Sequence, residues 1–475
     1  MGFSDLGCFG GEIETPNLDS LAAGGLRFTE FHNTARCWPT RATLMSGRYS
    51  NGLGAGQVTV AEVLKSVGYQ TGMVGKWHLG RDPKKDGPIQ RGFDAFYGTM
   101  TGAGSFWDPI TLTRDTEFVE PDSEDFYYTD KIGVEAVKQI EKFAEVDRPF
   151  FQYVAFTAAH WPMHAPEATI QKHLPRYEGG WEELRNERYA RMLEMGIIDE
   201  EHWPLPPMEP GVKKWETVDH KAWRVRNMAI YAAMVDHMDQ AVGKIVEALR
   251  RAKQLDNTLI VYFHDNGACP EHLGGNGWNT ANNILAKAKA AGKTVAVGDV
   301  FDVPMGGPLT YGSVGHNWAN AQNTPLRRYK MNVHEGGACT PAIMHWPAGL
   351  KHEPGSITRQ RGHVVDMMAT CIELADAEYP TQFDGRTITP HESLSLASVI
   401  NGGKQPHDHA YYFNHAGTHA VIKGDFKVVR EGKGPWALYN LVENRTETRN
   451  LAEQFPQRVQ ELADLWEARW GKPAK

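Results

Sequence analysis

Cys37-Trp38-Pro39-Thr40-Arg41-Ala42-Thr43-Leu44-Met45-Ser46-Gly47-Arg48 reads as a cysteine set at the mouth of a short helix. Proline suits a first helical turn, where its missing N–H costs nothing, and glycine suits the residue just past the last turn. A side chain at such a mouth faces free backbone N–H groups and the positive end of the helix dipole, surroundings that favour an anion. Taken alone, the same pattern also describes a small core cysteine that precedes a helix.

Working outward, the chain alternates helices and strands. Thr15-Pro16 opens a helix, with Thr15 as N-cap, that ends at Gly24-Gly25. Leu26 to Phe31 is then a strand leading into the Cys37 segment. Thr59-Val60-Ala61-Glu62 is a capping box, and its helix closes at Gly68 before a strand at Tyr69 to Val74. Asp130 to Ala144 has helical periodicity and Phe150 to Phe156 reads as a buried strand. A polar stretch, roughly 176 to 220, precedes a long helix at about Ala222 to Ala252 and a strand at Thr258 to Phe263. The strands run into Lys76-Trp77-His78, His160-Trp161-Pro162 and His264-Asp265-Asn266-Gly267, so polar residues gather at strand ends. This predicts an α/β fold with a mostly parallel central sheet flanked by helices on both faces, and ligands bound beyond the carboxyl ends of its strands.

Ala268 to about Asn323 is a Gly-, Asn- and Ala-rich excursion of the kind that shapes a site, as is Gly102 to Asp108. Pro341 to His345 resumes a strand and His363 to Ala375 is helical. Beyond Gly385, short strands near 410–413, 419–423, 426–430 and 437–441 and an amphipathic helix from Pro456 to Trp470 predict a small antiparallel sheet plus helix. The division expected is 1–385 for the main domain and 386–475 for the subdomain.

The 475 residues are 41% hydrophobic and 23% charged with a net charge of −8, the profile of a globular chain that is not a dedicated nucleic-acid binder. No apolar run is long enough to span a membrane. The five cysteines, Cys8, Cys37, Cys269, Cys339 and Cys371, form neither a zinc spacing nor a disulfide framework. The opening Met1-Gly2-Phe3-Ser4-Asp5 has no secretory character. A periplasmic or secreted location would follow from a signal further upstream, and a cytoplasmic one otherwise.

Cys-x-Pro-x-Arg followed by Ser-Gly-Arg resembles the signature of the type I sulfatases of the alkaline phosphatase superfamily. The resemblance extends to Gly75-Lys76-Trp77-His78-Leu79-Gly80, Ala159-His160-Trp161-Pro162, Asp265-Asn266-Gly267, Lys330 before Glu335-Gly336-Gly337, and Leu438-Tyr439-Asn440-Leu441 with its following Glu-Thr-Arg-Asn-Leu. It implies hydrolysis of an aryl or carbohydrate sulfate monoester. Cys37, converted to formylglycine by a separate formylglycine-generating enzyme, would attack sulfur as the aldehyde hydrate and also be a metal ligand. The hydrate's second hydroxyl would later let the covalent sulfate collapse. Arg41 would orient the hydrate, Lys76 and Lys330 hold the sulfate, His78 deprotonate the nucleophile and His160 protonate the leaving alcohol while contacting substrate. Asp265 and Asn266 would be oxygen ligands of Ca²⁺. In isolation these residues read as surface lysines, a packed histidine and a turn. His164 and His334 read equally as supporting or substrate-facing groups, and Trp107 as a core aromatic.

The resemblance also marks departures. The family begins with a strand ending in two adjacent aspartates that supply about half the metal ligands, whereas this sequence starts at Met1, and Asp5 lies too far along to replace them. Open sheet edges and weakened metal binding are the expectations that follow. Cys339 stands where the family often has arginine. Two other functions compete: a phosphonate or phosphodiester hydrolase of the same superfamily, against which Asp265-Asn266 argues, and a metal-deficient pseudoenzyme.

Overall fold

The computed structural model describes residues 1–273, 285 and 287–471. In chain order its main elements are α1 (Pro16–Ala23), β1 (Leu26–His32), α2 (Cys37–Ser46), α3 (Val60–Ser66), β2 (Gln70–Lys76), β3 (Ala95–Thr99), β4 (Leu112–Arg114), β5 (Glu117–Phe118), α4 (Tyr128–Ala144), β6 (Phe150–Ala155), α5 (Glu167–His173), α6 (Gly180–Glu194), α7 (Lys221–Arg251) and β7 (Ile260–Phe263). There follow β8 (Cys339–His345), β9 (Ser356–Thr358), β10 (Gly362–His363), α8 (Met367–Leu374), β11 (Tyr411–His415), β12 (Thr418–Lys423), β13 (Phe426–Glu431), β14 (Ala437–Asn440) and α9 (Pro456–Trp470).

The α/β architecture expected from the alternation is present, with a mixed sheet system at its centre. One sheet runs β5–β4–β3–β2–β6, and β2 is parallel to both β3 and β6. The other runs β9–β1–β8–β7; β1 is parallel to β9 and β10 but antiparallel to β8, which is antiparallel to β7. β6 and β7 are the terminal strands of their sheets and share no ladder. Their side chains still pack together. Phe151 and Tyr153 join Val261 and Phe263 on one side, while Val154 and Phe156 join Ile260 and Tyr262 on the other. Both strands are only partly covered, and among the described residues each is paired along one edge only, with a hydrophobic cluster on either face.

The long helix α7 organises that core. Its central turns from Met228 to Asp239 are wholly buried, and α4, α5 and α1 pack along it. Asp239 accepts the Asn17 and Leu18 backbone N–H groups and so holds the start of α1. The Thr15 hydroxyl does not cap α1. It accepts the Gly7 N–H and donates to Asp19, so it ties the N-terminal segment to the helix instead. The capping box at Thr59 forms as read. Helix α6 lies inside the stretch read only as polar. It went unseen because part of its inward face is charged: Arg188 is fully buried and pairs with Asp5 at 2.7 Å and Glu12 at 2.7 Å. The four strands β11–β14 form an antiparallel sheet in sequence order, closed by α9 through Leu462 and Trp466.

Candidate active site

Cys37 opens α2 directly after an extended Arg36, and Gly47 ends the helix with φ 63°, as the sequence pattern requires. Every α2 residue except Trp38 is buried, so the helix is anchored by core packing and presents a buried Cys37 at its N-terminus. Lys76 is the last residue of β2, and two residues on His78 adopts φ 61°. His160 follows β6, and Asp265 and Asn266 follow β7. Lys330 sits in the turn before the Glu335 helix, with its N–H on the Ala268 carbonyl. One cavity is lined by Arg41, Lys76, His160, Asp265, Asn266 and Lys330.

The charges in this cavity are fixed by named partners. Arg41 donates to Asp265 Oδ2 from Nε at 3.0 Å and from a terminal nitrogen at 2.8 Å, and its other arm donates to the Lys76 carbonyl at 2.5 Å. Burial alone would raise the Asp265 carboxyl, but Arg41 and Lys76 outweigh it and hold it below the usual carboxylate range. Burial pulls the Lys76 ammonium below the ordinary lysine value. Burial, with Lys76 and Arg41 adding to it, drops His78 to about 2, so its ring is neutral, and its buried Nδ1 has no partner. A Cβ on Gly102 would meet the His78 ring at 2.2 Å, so only glycine fits against that imidazole.

His160 is likewise neutral, because burial and then Lys330 and Lys76 depress it. Its Nδ1 lies 2.7 Å from the Trp161 carbonyl and donates there, which leaves Nε2 to accept from Lys330 Nζ at 3.2 Å. Lys330 also donates to Glu271 Oε2 at 2.8 Å. The same carboxylate accepts the Trp161 indole N–H at 2.8 Å and, through Oε1, Arg36 at 2.9 Å. Burial works against the charge on Lys330, but Cys269 and Glu271 outweigh it and keep the ammonium above its ordinary value. Glu271 escaped the sequence reading because it sits in a Gly-rich excursion with no periodicity or motif. Residues 274–284 and 286 of that excursion lie outside those described.

His415, on β11 of the small sheet, also reaches this centre. Burial, then Arg36 and Lys330, lower it to about 4. His164 is a structural residue, with Nε2 on the Thr310 carbonyl at 2.6 Å and Nδ1 receiving the Phe106 N–H at 3.3 Å. His334 is tied to Asn332 at 2.6 Å. Trp107 packs against Tyr127, as a core aromatic does. Asp5 is locked by Arg188, by the Tyr231 hydroxyl at 2.6 Å and by the Gly2 N–H at 2.6 Å, so it is spoken for.

For a hard divalent cation, the donors present are of the right kind. Asn266 Oδ1 is buried without a partner, and Asp265 is an ionised carboxylate engaged with Arg41 through Oδ2. Both fit an ion that takes oxygen ligands. The buried group His32, Glu335 and Cys339 has metal-like composition, but Glu335 is saturated by Lys427 and Arg445, whose charges would repel a cation. Arg445 also donates to Cys339 Sγ at 3.2 Å, so a guanidinium from the small subdomain lies against that cysteine.

The sulfatase family model matches residues 1–377. The chain belongs to the sulfatase family. It is 30% identical to an uncharacterized sulfatase of Schizosaccharomyces pombe, covering 98% of this chain and 91% of that protein. It is 31% identical to an arylsulfatase of Klebsiella aerogenes over 84% of this chain and 89% of the relative. A crystal structure of Ps i-CgsB with a bound neocarrahexaose superposes with a TM-score of 0.69 at 23% identity, covering 99% and 90% of the two chains, which shows the shared fold. A phosphonate monoester hydrolase of Agrobacterium radiobacter shares that fold, at TM-score 0.57 and 17% identity over 98% of this chain and 92% of that one. This sulfatase is a sulfuric ester hydrolase, and no described helix is long and apolar enough to cross a membrane.

Proposed function

We propose that this sulfatase hydrolyses an aryl or carbohydrate sulfate monoester with a formylglycine nucleophile made from Cys37. The observation that carries the reading is that Lys76, Lys330, Arg41 and the neutral His160 line one cavity, that all three cations act electrostatically on residue 37 at the start of α2, and that the neutral His78 lies within the field of Lys76 and Arg41. A sulfate ester presents a charged group that needs cations on its non-bridging oxygens, a base at the nucleophile and an acid at the leaving oxygen. Lys76 and Lys330 bind those oxygens. Arg41, fixed by Asp265 and the Lys76 carbonyl, orients residue 37 one helical turn away. The unpartnered Nδ1 of neutral His78 is open to a hydrogen bond with the hydrate, and a bound sulfate anion that offsets Lys76 and Arg41 would let the ring take the proton.

His160 rests unprotonated because Lys330 and Lys76 face it. A bound sulfate anion offsets both cations and lets Nε2 carry the proton that the departing alcohol takes. The hydrated aldehyde supplies the attacking hydroxyl. Asp265 and Asn266 would hold Ca²⁺, which would add positive charge at the sulfate oxygens. The test is sulfate release from nitrophenyl sulfate beside turnover of a nitrophenyl phosphodiester, using protein co-expressed with a formylglycine-generating enzyme. Preferential sulfate release, abolished by Cys37→Ala, is expected; preferential phosphodiester turnover would overturn the reading.

A further inference from the structure

Trp38 is the one α2 residue that the core does not cover. Its indole is half-buried and is held by three groups of the site. Arg36 lies over the ring at 5.2 Å, and the His78 and His415 rings meet it at 6.0 and 5.6 Å, each near 74°. No described residue accepts its N–H, which reaches solvent. The clamp draws on the residue before α2, on the turn after β2 and on the small sheet, so the ring of the residue next to the nucleophile position in sequence is fixed in place while part of it stays open. The other positions of α2 face the core, and Trp38 alone turns its ring toward these polar groups. A large rigid ring left partly wet within a polar site gains its full apolar contact only when something covers it.

Resting on the sulfate-ester reading of the site, we infer that Trp38 is the platform for the leaving group and selects esters that carry a flat ring face next to the sulfate. An aromatic ring and the C–H face of a pyranose share that chemistry. His415 and Arg36 hold the platform at its angle, and the free indole N–H is a donor for a ring substituent. Trp38 thus determines specificity, while the cations that bind sulfate are Lys76 and Lys330.

Sulfonates test this without turnover, because a C–S bond is not a sulfate ester. Methanesulfonate, benzenesulfonate and 6-deoxy-6-sulfoglucose are titrated calorimetrically into the wild-type protein, Trp38→Ala and Trp38→Phe. The wild type should bind at least one ring-bearing sulfonate about tenfold more tightly than methanesulfonate, a gain that Trp38→Ala abolishes and Trp38→Phe largely keeps, with methanesulfonate affinity unchanged throughout. Whichever ring compound shows the gain identifies the leaving group as aryl or sugar. Equal affinities in the wild type, a ring preference that survives Trp38→Ala, or a parallel loss of methanesulfonate binding would overturn the platform. Failure of the sulfate-ester reading would show separately, as absent sulfate release by a wild type that still binds the sulfonates.

Discussion

Glu271→Gln isolates one charge in the site and nearly preserves its shape. Glu271 lies 2.8 Å from Lys330 and 2.9 Å from Arg36, and its carboxylate is one of the two groups that keep the buried Lys330 ammonium charged. An opposite charge at such range favours the charged form of a titrating group, and here Glu271 shares that charge between Lys330 and Arg36. The sign follows from burial, which favours neutral lysine. Without Glu271 the Lys330 pKa falls, so the sulfate-binding form disappears at lower pH. The assay is kcat/KM for nitrophenyl sulfate from neutral to alkaline pH, with thermal unfolding as the control for folding. The expected result is an alkaline limb displaced to lower pH, with near-normal activity at neutral pH. An alkaline limb that stays in place, or a loss equal at every pH, would refute the electrostatic role assigned to Glu271.

Three other outcomes follow from the same structure. Gly102→Ala should cut kcat/KM by at least about tenfold with little change in unfolding temperature, because its methyl group meets the His78 ring at 2.2 Å. Arg188→Met strands the buried Asp5 and Glu12 carboxylates and should lower stability by about 3–5 kcal/mol in urea unfolding; Asp5→Asn with Glu12→Gln in the same chain should recover part of that loss. Burial raises the Glu135 carboxyl, but Arg114 and Lys138 outweigh it and bring it down to about 2. Its contribution is therefore full above the ordinary carboxylate pKa and is lost as pH falls toward about 2. With Arg114 and Lys138 half exposed, Glu135→Gln should cost about 1 kcal/mol at neutral pH and nothing in strong acid.

The strand ends that carry the site were legible because each depends on local pattern: a buried run, then a polar turn. Cys37, Lys76, His160 and Asp265 all fall within a few residues of the strands read for them. The small sheet and α9 were legible for the same reason, and α9 keeps its expected Pro456–Trp470 span. What periodicity could not reveal was long-range pairing. The antiparallel course of β8 between β1 and β7 is set by tertiary packing, and so are the unshared edges of β6 and β7. Helix α6 was hidden because it buries Arg185 and Arg188, where an apolar stripe would have announced it. Glu271 and His415 were hidden because their roles depend on what faces them across the fold. Nothing adjacent to either in sequence marks it as part of a cationic site.

Everything assigned to this site turns on the chemistry of residue 37. The most direct measurement is the mass of the tryptic peptide spanning Cys37, taken from protein that is releasing sulfate. The account predicts an aldehyde at position 37 in amounts that track activity across preparations. Full sulfatase activity from protein whose residue 37 is still entirely thiol would contradict it.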